Sequence, residues 1–265
     1  MAKVKLSDIA KEAGVSVATV SYVLNNNPNQ KINEKTKRQI LQIASLLGYT
    51  KNSFASALAN GKSNQIGIYV ENHAFPLHKA ELYSFVQRLV ETLKLNNYNA
   101  ILLPNAYSKS VDYADAIICI GISDEDFVTI AKNNIIPVIA VDTKAHVPWI
   151  FEIKNTFSDI SDKLLLKEYT LITYECNSLS YKAEIEKKNT NVIYISSFSQ
   201  LNNLKEKIKD KKVVIAGDEL YEFSKMLGMN ADKYPIDIQA KINKILDCLR
   251  YSIDHIPMET HEFNL

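Results

Sequence analysis

Two short amphipathic segments separated by three residues constrain this chain more than any other feature. Leu6, Ile9, Ala10 and Ala13 recur at helical spacing, Gly14 follows where left-handed backbone costs least, and Val15 supplies an apolar plug. Ser16 is a natural N-cap for a second helix, Val17–Asn25, with Val20, Val23 and Leu24 on its inner face. Asn33 can cap a third helix whose apolar face is Ile40, Ile43, Ala44 and Leu47, ended by Gly48. Two helices joined by a glycine-containing turn form a helix-turn-helix, whose second helix enters the major groove of DNA. A small bundle that binds only other proteins would share the pattern. The Thr/Ser/Tyr-rich outer face of helix 2 counts against it, because phosphate contacts want hydroxyls beside lysines.

Charge supports a division of the chain. The 265 residues carry a net +1, which excludes a uniformly basic nucleic-acid coat and an acidic disordered tail. Residues 1–65 hold nine basic and three acidic side chains, a net of +6, leaving 22 basic and 27 acidic beyond them, a net of −5. A basic head on a slightly acidic body fits a nucleic-acid-binding module with a different task behind it. No run of about 18 apolar residues occurs, and the N-terminus lacks the apolar core of a secretory signal, so a cytoplasmic location and no membrane contact are expected. Cys119, Cys176 and Cys248 are read as buried thiols in a reducing compartment. The five histidines show no metal spacing and are read as ordinary surface or loop residues, so no metal is expected.

Residues 50–64 are a linker with helical tendency. Phe54 and Leu58 stand four apart among alanines, in a segment too short to be a stable helix alone. It reads either as a flexible connection or as a hinge that folds when a partner covers it.

At this point the sequence resembles a known family. LSDIAKEAGVSVATVSYVLN, followed by INEKTKRQILQIASLLGYTKNSFASALANGKSNQIGIYVEN, is similar to the head of lactose/galactose-repressor-family transcription regulators over about the first 72 residues. The resemblance places Val17, Ala18 and Tyr22 at base-reading positions. It places Thr19, Ser21, Asn25, Thr36, Tyr49 and Asn52 at phosphate-contacting ones. Ala55 and Leu58 match hinge residues that enter the minor groove. It implies a homodimer on a palindromic double-stranded operator.

From Gln65 onward, β-branched runs alternate with helical ones: 65–70, 99–103, 116–121, 136–141, 170–174, 192–196 and 213–216 as strands, 82–93, 124–133, 157–166, 201–208 and 238–249 as helices. Such alternation means βαβ units and a mostly parallel sheet covered on both faces. In the resembled family this region is a two-lobed, periplasmic-binding-protein-like module with an effector in its cleft. Position nominates Phe75, Asp142, Asn155 and Asp218 for that cleft, each equally readable as a packing residue. The body departs from the family pattern. It is short, little separates Pro104 from Ala116, no strand is expected between Gly228 and Ile236, and ECNSLSYKAEIEK offers no arginine for a sugar hydroxyl.

The expected architecture is therefore an all-α helix-turn-helix head (1–49), a hinge (50–64) and a two-lobed α/β effector and dimerisation domain (65–265). The expected function is DNA-binding regulation, as a repressor, modulated by a small metabolite such as a sugar. One alternative is the same regulator with a degenerate cleft controlled by a protein partner or by nothing. Another is a bifunctional enzyme with a DNA-binding head. No G-x-G-x-x-G, P-loop, G-x-S-x-G or paired-cysteine motif occurs, so neither catalysis nor a cofactor is expected.

Overall fold

The structure, a computed structural model, describes residues 4–24, 30–49, 62–166, 168–208 and 211–265. The chain divides into two compact units, Met1–Ser63 and Asn64–Leu265. In the first, α1 (Leu6–Ala13), α2 (Val17–Leu24) and α3 (Glu34–Leu46) enclose a core of Ile9, Val20, Val23, Ile40 and three alanines. Gly14 sits at φ 66° and the Val15 N–H closes onto the Ala10 carbonyl at 3.1 Å, which stops α1 and reverses the chain. Ser16 Oγ then accepts from the Thr19 N–H at 3.0 Å and starts α2. The linker 50–61 and Asn25 lie outside the described residues.

The second unit contains two all-parallel sheets. The first lobe is built on β1 (Gln65–Val70), β2 (Asn99–Leu102), β3 (Ala116–Ile120), β4 (Val138–Val141), β5 (Phe151–Lys154) and β10 (Glu262–Asn264), in the order β10-β5-β4-β3-β1-β2. The second holds β6 (Thr170–Tyr174), β7 (Val192–Ile195), β8 (Val213–Ile215) and β9 (Asp232–Lys233), in the order β7-β6-β8-β9. β3 lies at the centre of its sheet and is buried throughout. Its Ile118 and Ile120 join the core under α4 (Pro76–Leu95) and α10 (Ile238–Ile253), while Ile117 and Cys119 meet α5 (Asp124–Asn133) on the other face. This two-residue alternation within a continuous apolar run is what a doubly covered parallel strand requires. The second sheet is treated likewise, by α8 (Phe198–Lys207) and α9 (Asp218–Met226) on one face and by α6 (Ile160–Leu164) and α7 (Leu179–Lys188) on the other. After β9 the chain returns to the first lobe, where Ile242, Ile245 and Leu249 of α10 pack.

Several elements differ from expectation. β5, α7 and α9 are additional to the runs read from sequence. The helix expected over 157–166 is one short turn, Ile160–Leu164, because Phe157 and Leu165 both adopt positive φ. A two-residue strand, β9, does occupy the Gly228–Ile236 interval, pairing Val214 with Asp232 and Ile215 with Lys233. No helix among the described residues is long and apolar enough to cross a membrane.

Candidate nucleic-acid interface and interlobe cleft

In the head, the burial of Val20 and Val23 fixes which side of α2 faces outward. Val17 and Tyr22 remain 48% and 37% exposed, and Ala18 is exposed beside them, so these three form one outer face. Thr19 is half-buried, its hydroxyl 2.8 Å from that of Ser16, and Ser21 is half-buried on the next turn. Thr36 stands in the first turn of α3, and Tyr49 packs part of its ring on the head core, its N–H donating to the Ala44 carbonyl at 2.8 Å. Asn25, Asn52, Ala55 and Leu58 lie outside the described residues.

In the body, the carboxyl ends of the parallel strands from both lobes face a shared cavity of about 140 Å³, the usual ligand position in open α/β sheets. Asp142 and Asn155 line it; Phe75 and Asp218 do not. Phe75 is buried against Tyr174 and Phe198 in the second-lobe core, because its large ring has no polar group to hold it in the open. Asp218 turns to the surface, where its carboxylate pairs with Lys233 at 3.0 Å. Asp142 accepts from Lys241 Nζ at 2.5 Å and from the Tyr181 hydroxyl, which also donates to the Asn155 carbonyl at 2.7 Å.

His73 does lie in a loop, the one after β1, but neither it nor His78, in the first turn of α4, stands on the open surface: they line the cavity, stacked on each other at 3.8 Å, with His78 stacked on Tyr174 at 4.3 Å. Burial, and the neighbouring His73, push His78 down to about 3, and burial lowers His73 as well, so both imidazoles are neutral at physiological pH. Glu81, on α4 in the first lobe, reaches across to the second. Its two oxygens accept from the backbone N–H groups of Asp218 and Glu219 at 3.0 and 2.9 Å, at the start of α9, and one accepts from the Tyr174 hydroxyl. Burial raises the Glu81 carboxyl above its ordinary value despite those two backbone donors. Asp124 makes the corresponding reach at the start of α7, accepting from the Ser178 hydroxyl and from the Ser180 N–H at 2.9 Å. Burial opposes the Asp124 charge, but these bonds outweigh it and hold the carboxyl below its usual range. The N-termini of α7 and α9 thus each take a lobe-one carboxylate, as the helix dipole favours.

Gly217, at φ 123°, allows this closure: a Cβ there would lie 2.7 Å from the Tyr174 ring. The ring is pinned by the His78 stack and has little room to give. Gly217→Ala is expected to cost about 1–3 kcal/mol through strain and overpacking. A urea midpoint unchanged from wild type would show that the ring yields.

The fold and the two sites define a class: a helix-turn-helix head carried on a two-lobed periplasmic-binding-protein-like body. Residues 5–52 match the family model for bacterial regulatory proteins of the lacI family. That match lies within the head unit. An HTH-type transcriptional regulator of Lachnoclostridium phytofermentans is 30% identical over 198 residues, covering 66% of this chain and 56% of that protein. Catabolite control protein A of Priestia megaterium is 32% identical over 158 residues, covering 55% and 46%. The matches therefore span about half the length of these curated relatives. The lac repressor dimer, solved bound to operator and an anti-inducer, superposes with TM-score 0.60 at 15% identity, covering 100% of this chain and 96% of that one.

Proposed function

We propose that the chain is a cytoplasmic, sequence-specific DNA-binding regulator that acts as a repressor, binds a palindromic operator as a homodimer, and answers to a small metabolite in the interlobe cleft. We assign it no catalytic step and no cofactor. The observation that carries this reading is the outward face of α2, where Val17, Ala18 and Tyr22 stay exposed inside the segment that matches the family model. Two such faces related by a two-fold axis read two half-sites of an inverted repeat. Thr19, Ser21, Asn25, Thr36, Tyr49 and Asn52 then contact phosphates and fix register without reading sequence. Ala55 and Leu58 enter the central minor groove, and the cleft holds a sugar or related compound.

Base reading by this face is apolar and weak. Valine and alanine meet only thymine methyls and sugars, and Tyr22 offers a single hydroxyl, so the half-site leans toward A·T. Tyr22→Arg is expected to shift preference to G·C at one symmetric position, by about 1–3 kcal/mol for a bidentate contact to guanine. Competition binding with operators altered at single positions checks this. Identical base preferences in wild type and variant would remove Tyr22 from the reading face.

A further inference from the structure

The charge around the cleft limits what can enter it. Three carboxylates line the cavity, Glu81, Asp142 and Glu175, against one lysine, Lys241. Lys241 is buried and already paired with Asp142 at 2.5 Å, and Glu175 is paired with Lys182 at 2.6 Å. Glu81 is different: its partners are two backbone N–H groups and a tyrosine hydroxyl, all neutral donors. Two second-lobe helix N-termini, which could otherwise receive a phosphate or carboxylate, are taken, α7 by Asp124 and α9 by Glu81. The cavity walls add aromatic side chains, Tyr174 with its stacked His78, Phe157, and Phe85, whose ring already carries the Lys241 ammonium at 5.8 Å. A ring face attracts a cation, and more so when water is excluded.

We propose that the cleft takes a small organic cation, an ammonium-bearing compound such as an amino sugar, whose charge compensates Glu81 between the aromatic walls, and that it rejects phosphorylated and carboxylate metabolites. The proposal rests on the effector role given to the cleft above and names the charge of its ligand. An anion entering this cavity would meet three carboxylates and find no uncommitted cation among the described lining residues. A neutral sugar would meet no repulsion but would leave Glu81 without a counter-charge.

Matched ligands that differ only in charge test this with the full-length wild-type chain. Glucosamine, glucose and glucose 6-phosphate form one set, and galactosamine, galactose and galactose 6-phosphate a second; choline tests the aromatic walls alone. Thermal shift and calorimetry at neutral pH and constant ionic strength should show at least one of these cations binding about 10-fold or more tighter than a neutral counterpart, with the phosphates weakest. Glu81→Gln, confirmed folded by circular dichroism, should bring the ratio of amine to neutral-sugar affinity close to one, the ratio being read because the lost contact to α9 affects both ligands alike. Binding of a neutral or phosphorylated member as tightly as its amine overturns the charge assignment and leaves the effector role standing. An amine whose affinity ignores Glu81→Gln overturns it as well. Silence across these sets and a wider panel of amines, sugars and phosphorylated metabolites overturns both the charge assignment and the effector role.

Discussion

Replacing Lys154 with alanine is expected to lower the stability of the body by about 3–5 kcal/mol, the usual cost of removing one partner from a buried ion pair. Lys154 is fully buried on β5, and its ammonium lies 2.9 Å from Glu152, 2.6 Å from Glu184 and 2.9 Å from Glu262. Lys144 reaches the same three carboxylates at 3.2, 2.9 and 3.6 Å. The group ties β5 and the loop after β4 to α7 of the second lobe and to the terminal strand β10. Without Lys154, three carboxylates share one lysine, and Glu152 among them is buried. Urea unfolding of the full chain measures the loss, and a change below about 1 kcal/mol would mean that Lys144 alone suffices. Acid should act in the same direction. Burial opposes the Glu184 charge, but bonds from Lys154 and Lys144 outweigh it, and the Lys154 bond holds Glu262 down despite partial burial. Both carboxyls therefore sit below their unfolded values. Their stabilisation is present above the ordinary glutamate range and is lost as pH falls through the lowered folded values. Wild type should lose stability more steeply than Lys154→Ala on acidification.

Operator affinity is expected to fall by about 10³–10⁵-fold between roughly 50 and 200 mM salt, as for proteins that displace on the order of 6–10 phosphate counterions. Residues 1–65 carry a net charge of +6 per chain, and a dimer brings two such heads to one operator. The exposed side chains of Lys35 and Arg38, on the first turns of α3, lie on the head surface and contribute to that charge. The remainder of the chain carries a net −5, so the salt dependence is expected to reside in the head. Fluorescence anisotropy across a salt series gives the slope, and a flat line would be incompatible with phosphate-anchored binding.

The head was legible in the sequence because its determinants are local. A helical period, a left-handed glycine and a serine cap all act within a few residues, and each is found where the spacing puts it. The central strands were legible for another reason: β1, β3 and β6 are apolar on both faces and bounded by polar turns. β5 was not, because FEIK alternates apolar with charged residues and reads as a surface segment. Glu152 and Lys154 are buried only because Lys144, Glu184 and Glu262 converge on them from other elements. α7 and α9 each bury a pair four residues apart, Tyr181 with Ile185 and Leu220 with Ser224, in which one member carries a hydroxyl and weakens the apolar period. The cleft suffered most from this non-locality. His73 meets Asn177, 104 residues away, and Glu81 meets Asp218 across 137. One signal was available: Tyr174 and Gly217 fall at the carboxyl ends of β6 and β8, where parallel sheets place their crevice. Position in the sequence nominates Phe75 and Asp218 as well, but a bulky buried ring and a surface ion pair take them elsewhere.

Selection of binding sites from a random duplex library with the full-length chain, at low salt, tests the account most directly. It should return an inverted repeat with A·T-leaning half-sites, its two-fold axis matching that of a dimer presenting two α2 faces. A pool that fails to enrich, or that enriches a site without two-fold symmetry, would contradict it.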